Sequence, residues 1–203
     1  MPEKIYADPL AVELMNTMST DSSGALVDAI QDTHLAAAWL RQHARQLHSQ
    51  AGQPVSIDSP NTAGALRDLR DALRALAADL TNDPRQPSSP MARAAALTVL
   101  NRHAQTWPEL HWSDGPRGLV YRTAGGSGPD AVALIGHQGV LLFGTSGAER
   151  LRACLAPNCH HFFLREGGRR EWCSPACGNR ARVARHYQRH HADRAPHLAA
   201  QEG

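Results

Sequence analysis

All four cysteines of this 203-residue chain fall within 24 residues, in two close pairs. The first pair is Cys154-x4-Cys159, and the second, separated from it by thirteen residues, is Cys173-x3-Cys177. Two such pairs joined by a short loop can supply the four thiolates of a tetrahedral zinc site. The alternative is four buried or disulfide-bonded cysteines without metal, but the sequence has no secretory features, so reduced thiols are expected. The spacing predicts one structural Zn²⁺ bound by all four cysteines.

The second cysteine pair lies where a helix is expected to begin. Ser174 is a favourable N-cap, Pro175 suits the first helical position, and good helix formers follow. The positive end of the helix dipole would then stabilise the two neighbouring thiolates. Upstream, Phe162–Leu164 and residues 171–172 are expected to pair as two short strands. A hairpin followed by a helix around one metal is typical of a treble-clef-like finger.

The expected helix also carries a stripe of basic side chains. Arg182, Arg185 and Arg189 follow one another at three- and four-residue steps, which places them on one face. A solvated charged helix is the ordinary interpretation of such a run. No acidic residue lies between Trp172 and Ala192, however, so internal ion pairs cannot neutralise this face. The absence of acids favours an anionic partner, and nucleic acid is the class that we expect.

Two more residues of the same helix are candidates for this contact. Asn179 and Arg180 can hydrogen-bond bases, but at the helix start they can equally brace the cysteine pair. Charge over the whole chain supports a polyanion at this end. Residues 1–149 carry 11 basic and 15 acidic side chains, whereas residues 150–203 carry 10 and 4. The C-terminal quarter is therefore basic and the remainder acidic.

Several motifs together resemble a known family. The first cysteine pair with its following aromatic run, and the tetrapeptide Cys177-Gly178-Asn179-Arg180, are similar to the CGNR zinc finger. Upstream, residues 10–17 resemble the opening of the ABATE domain, in which a hydrophobic helix runs into Asn-Thr. The similarity covers nearly the whole chain and implies a stress-related transcription regulator. Two departures concern the finger's surface: Leu164-Arg165 stands where many members carry an Asp, and the last two cysteines lie one residue closer.

The resulting fold expectation is a mainly α protein. It comprises an ABATE-like helical N-terminal domain with a small β element over residues 1–149, a finger over 150–194 and a disordered tail over 195–203. The small β element is a hairpin of residues 110–112 and 119–123, whereas residues 130–143 fit either a helix or a strand. Residues 61–81 give the clearest helical periodicity, through Leu66, Leu69, Leu73, Leu76 and Leu80. This leucine seam is either internal core or the contact of a homodimer.

The remaining patterns give weaker expectations about function. An effector pocket could be lined by Trp39, Trp107, Trp112, Asn16 and Thr17, although core packing is the more ordinary role for tryptophan. A phosphate-binding loop at residues 139–146 lacks its lysine, and no catalytic constellation is present, so an enzyme is not expected. With no membrane-spanning run, we expect a cytoplasmic DNA-binding regulator. The alternative is a finger that docks an acidic protein or RNA.

Overall fold

The computed structural model describes residues 8–21, 23–51, 55–57, 61–85, 91–105, 108–112, 119–123, 130–165 and 170–199, with side chains described outside 108–123 and 190–199. The described chain is mainly helical, as predicted, with short strands between the helices. The helices are α1 (Leu10–Met15), α2 (Thr33–Ala51), α3 (Thr62–Leu80), α4 (Arg93–His103), α5 (Ala131–Gly144), α6 (Gly147–Arg150) and α7 (Pro175–Ala199). The strands are β1 (Met18–Thr20), β2 (Leu26–Asp28), β3 (Pro108–Trp112), β4 (Leu119–Thr123), β5 (Leu151–Ala153) and β6 (Phe162–Leu164).

Helix α3 lies at the centre of the helical body and contacts α1, α2, α4 and α5. Its amphipathic pattern places one leucine face in the core, and Leu66, Leu69 and Leu73 are fully buried there. Leu76 is 8% exposed, whereas Leu80, at the helix end, is 46% exposed. The leucine seam is therefore internal core, and the idea that it forms a dimer contact is wrong for all but its last residue.

Helix α5 settles the ambiguity of residues 130–143 in favour of a helix. The Asp130 side chain accepts a hydrogen bond from the Val132 N–H, which caps the first turn. Gly136 and Gly139 of α5 lie where neighbouring parts of the chain pack closely. A Cβ at Gly139 would lie 2.6 Å from Cδ2 of Leu73 and 3.0 Å from Cδ1 of Leu100. Glycine is needed there because neighbouring helices approach the α5 backbone closely.

The strands form three two-stranded antiparallel sheets within the described residues: β1 with β2, β3 with β4, and β5 with β6. The predicted hairpin of residues 110–112 and 119–123 is confirmed as β3 and β4. The predicted partner of Phe162–Leu164 is wrong. Strand β6 pairs with Leu151–Ala153, and residues 171–172 form no strand. The first cysteine pair thus lies in the connection of the β5–β6 hairpin.

Strand β6 belongs to two cores at once. Phe162 and Leu164 pack in the main hydrophobic core of the body, together with Leu151 of β5. Phe163 points the other way, into a small cluster with the cysteines. This alternation follows from the two-residue period of a strand. The metal-binding segment and the helical body therefore share one core across residue 150.

Helix α7 begins at the second cysteine pair and continues to Ala199. It therefore runs into the segment predicted as a disordered tail, whereas residues 200–203 lie outside the described part of the chain. Among the described residues, no helix has the length and apolar character needed to cross a bilayer.

Candidate metal centre

The structure brings the four cysteines together in one compact cluster. Their Sγ atoms all lie within 4.8 Å of one another. The separations are 3.3 Å between Cys173 and Cys177, and 3.7 Å from Cys159 to each of them. Four thiolates placed tetrahedrally about a metal at about 2.3 Å stand about 3.8 Å apart. A disulfide requires about 2.05 Å, and all four cysteines are free. The cluster is shaped to bind a metal ion.

The second half of the cluster is fixed by the start of α7. The backbone N–H of Cys177 donates to Oγ of Ser174 at 3.2 Å, which confirms the predicted N-cap. A Cβ at Gly178 would lie 3.1 Å from Cδ1 of Trp172, so glycine allows the indole to cover the first turn. Cys177 itself is buried, whereas Cys173 is only half buried. Because α7 begins at this cysteine pair, the positive end of its helix dipole points at the sulfur atoms.

Contacts among the thiols of the cluster shift their pKa values in opposite directions. A hydrogen bond from Cys159, with a second from Cys173, lowers the pKa of Cys154. The same contact with Cys154 raises the pKa of Cys159 to about 12. Hydrogen bonds with Cys154 and Cys159 raise the pKa of Cys173. A bound cation deprotonates its thiol ligands, so it removes this competition for protons.

The outer edge of β6 is paired with side chains from the start of the chain. Asn16 donates through Nδ2 to the Phe162 carbonyl at 2.9 Å and accepts from the Phe162 N–H at 2.8 Å. One strand position further, the Leu164 N–H lies 3.4 Å from Oδ1 of Asp8. Arg170 donates to the Leu164 carbonyl and forms an ion pair with Asp8 at 3.1 Å. These contacts satisfy edge groups that would otherwise be unpaired.

Sequence reasoning did not identify this docking role of Asp8 and Asn16. The sequence placed Asn16 in the ABATE-like opening and in the candidate effector pocket, and it predicted no role for Asp8. The available signal is their position, since they flank α1, in which Glu13 is the one polar residue. Polar residues at both ends of a short buried helix indicate contacts with backbone groups of another segment.

The proposed nucleic-acid contacts all lie on α7. Asn179, Arg182, Arg185 and Arg189 are exposed there. Arg180 is also exposed, but its Nη2 donates to Sγ of Cys177 at 3.0 Å. Bracing of the cysteine cluster, the alternative that the sequence left open for Arg180, is therefore what this conformation supports.

The other candidate residues do not form a second site. Trp39 is buried in the body core beside His43, with ring centroids 4.5 Å apart, and Thr17 donates to the Leu14 carbonyl. Trp107 and the Trp112 side chain lie outside the described part. His186 is exposed on α7, while Nδ1 of His161 lies 3.9 Å from Sγ of Cys173, beside the four-sulfur cluster. The expected effector pocket is not formed by the described members of that set.

Comparison with known families separates the chain into two matched regions. Residues 150–190 match the CGNR zinc finger family. Residues 8–146 match the ABATE family, described as "Putative stress-induced transcription regulator". No match is found among curated proteins. The chain therefore belongs to the ABATE family and carries a C-terminal CGNR zinc finger.

Proposed function

We propose that this protein binds one structural Zn²⁺ and regulates transcription by binding DNA through α7. Four sulfur atoms within 4.8 Å of one another, three of them from buried cysteines, favour zinc over hard cations, which prefer oxygen ligands. Four thiolates fill the tetrahedral shell and leave no position for substrate. The metal therefore has a structural role in this proposal, and the protein is not an enzyme.

The observation that carries the DNA proposal is the exposed basic face of α7. Arg182, Arg185 and Arg189 are exposed, and none forms an ion pair with a carboxylate in the part of the chain that the structure describes. Arg185 and Arg189 donate only weakly, at 3.4 Å, to carbonyls of their own helix. Such guanidinium groups retain the capacity to bind phosphate.

The way in which α7 is anchored leaves most of its surface available. Cys177, Gly178 and Ala181 are buried at its start, whereas Arg185–Arg189 are exposed on every side. Between Arg182 and Arg189 the helix advances about 10 Å, at about 1.5 Å per residue. A helix of this kind fits a major groove about 12 Å wide. The metal cluster would hold the helix base while the free turns contact DNA.

Salt dependence of DNA binding tests this proposal. Each phosphate neutralised by arginine contributes about −0.9 to the slope of log affinity against log salt, so the three arginines contribute about −2.7. Arg185→Ala should flatten the slope by about one unit and weaken all duplex sequences alike. Arg41→Ala is the matched control, because Arg41 is an exposed arginine on α2.

Binding is measured by fluorescence anisotropy over a salt series, on random duplexes and on selected genomic fragments. Both variants should keep their zinc, because neither arginine supplies a ligand. Elemental analysis checks this. A triple variant of Arg182, Arg185 and Arg189 to alanine that binds duplex DNA with wild-type affinity and slope would disprove the DNA role of α7.

A second candidate, binding of RNA or an acidic protein, is favoured by two apolar side chains on α7. Val183 is 46% exposed and Tyr187 is 62% exposed. An exposed tyrosine beside arginines can stack on an unpaired base. Tyr187→Ala should weaken single-stranded RNA binding strongly under this candidate and duplex DNA binding little. Comparison of the two ligands distinguishes the candidates.

A further inference from the structure

The first cysteine pair is held from the helical body by one arginine, Arg85. Its Nη1 donates to three backbone carbonyls: Cys159 at 2.6 Å, Cys154 at 3.1 Å and His161 at 3.4 Å. Two of these carbonyls belong to cysteines of the metal cluster. Arg85 itself lies 69 residues before the first of them, inside the region that matches the ABATE family.

Arg85 is oriented by a buried carboxylate. Asp83 accepts from its Nε and Nη2 at 2.7 and 2.6 Å, so Nη1 is left to face the carbonyls. The Asp83 side chain is 5% exposed and that of Arg85 is 15% exposed. The guanidinium carbon also lies 5.1 Å from the ring centroid of Phe162, within cation–π distance. The side chain therefore has one well-determined position.

The shape of the cysteine turn brings the three carbonyls together around this cation. Asn158 adopts a left-handed conformation, with φ of 54°, and the Cys159 N–H closes the turn by donating to the Ala156 carbonyl. The Cys154 N–H donates to the His161 carbonyl at 2.9 Å, at the mouth of the turn. Carbonyls that converge in this way repel one another unless a donor lies between them.

We propose that Arg85 is a positioning residue of the metal centre: it fixes Cys154 and Cys159 at the separation that the metal requires. This inference rests on the proposed zinc site. It makes the site a joint product of both matched regions, since the finger supplies the sulfur atoms and the helical body supplies the clamp. Partners of this kind, beyond the ligands themselves, typically change metal affinity by about 10–100-fold.

Competition for zinc between the full chain and a chromogenic chelator tests the proposal. We expect Arg85→Met to lower zinc affinity by about 10–100-fold. The matched control is Arg67→Met. Arg67 also donates to two backbone carbonyls, of Ile30 and Gln31, both at 3.2 Å, but these lie away from the cysteines. The control should keep wild-type zinc affinity. Equal affinity for wild type and Arg85→Met would overturn the proposal.

Two further measurements separate positioning from a general loss of stability. Arg85→Met strands the buried Asp83 charge, so Asp83→Asn with Arg85→Met serves as a second variant that removes both charges. Each variant is unfolded with zinc and with chelator. Positioning predicts that the substitution costs more stability when zinc is bound, because linkage is reciprocal. An equal cost in both conditions shows an ordinary structural role and overturns the inference. A wild-type chain that takes up no zinc refutes the metal proposal itself.

Discussion

Replacement of Asn16 by alanine should weaken the attachment of the finger to the helical body and lower the stability of the protein. The Asn16 amide makes two hydrogen bonds, of 2.8 and 2.9 Å, to both backbone groups of Phe162. No strand lies on that side of β6 in the described part of the chain. In effect the amide takes the place of a neighbouring strand. Phe162 is 1% exposed, so water cannot readily replace the lost partner.

The magnitude follows from these two bonds. Each contributes about 1 kcal/mol net, and a buried backbone group left without a partner costs about 1–3 kcal/mol. Partial relaxation of the strand toward water reduces the sum, so we expect Asn16→Ala to lower the free energy of unfolding by about 2–4 kcal/mol. For a chain of this length, 1 kcal/mol shifts Tm by about 2–4 °C. The expected decrease in Tm is therefore roughly 4–16 °C.

Urea unfolding of the zinc-bound protein, followed by circular dichroism, measures this effect. The control is Asn101→Ala, which makes the same substitution at an exposed position of α4 and should be neutral or slightly stabilising. Because the finger and body share a core, both should unfold in one transition in the wild type. If Asn16→Ala lies within about 0.5 kcal/mol of the wild type, the amide does not hold β6 and the reasoning is refuted.

Three further outcomes are expected. Cys177→Ser should abolish stoichiometric zinc in elemental analysis and also destabilise the body, because Phe162 packs in its core; a serine variant that keeps its zinc would contradict the assignment. Gly139→Ala should lower the free energy of unfolding by about 1–3 kcal/mol, because the new methyl group would meet Leu73. Gly64→Ala on α3, where the space around the residue is open, should raise it by about 0.5–1 kcal/mol. Urea unfolding of both variants measures the two changes, and a Gly139→Ala variant as stable as the wild type would contradict the close packing. Burial, followed by the charge of Arg102, lowers the pKa of His103 below its ordinary value of 6.5. The contribution of His103 to stability is therefore complete above the pKa of the unfolded chain, where the ring is neutral, and it is lost as pH falls through the lower pKa of the folded state. His103→Gln should therefore reduce the drop in Tm between neutral and mildly acidic pH, and an unchanged drop would argue against that role.

The cysteine cluster could be predicted from sequence because its information is local. Four thiols within 24 residues, with Ser174 before the helix, are sufficient to indicate a metal and the helix that begins there. The strand partner of β6 was not predictable in this way. Residues 171–172 are nearer in sequence, but Leu151–Ala153 buries Leu151 in the same core as Phe162. Pairing was decided by burial against the body, which no local pattern records.

The residues that join the two regions left an even weaker signal. Asp8, Asn16 and Arg85 contact finger groups 69–162 residues away in the chain, and each is a single polar residue without periodicity. Their role depends on which backbone groups the fold leaves unpaired. Only the tertiary structure shows that Phe162, Leu164 and the cysteine turn have such groups.

The ion pairs formed where the body contacts the finger also determine which basic side chains of the finger remain available to a partner. Two acids of the body that lie beside the finger are paired: Asp8 with Arg170, and Asp83 with Arg85. Residues 1–149 are otherwise acidic and would repel a polyanion. Arg182, Arg185 and Arg189 have no such carboxylate partner among the described residues, so the attractive field concentrates on α7. Under the proposed function, this distribution of charge would draw a duplex to the free turns of the helix and away from the body.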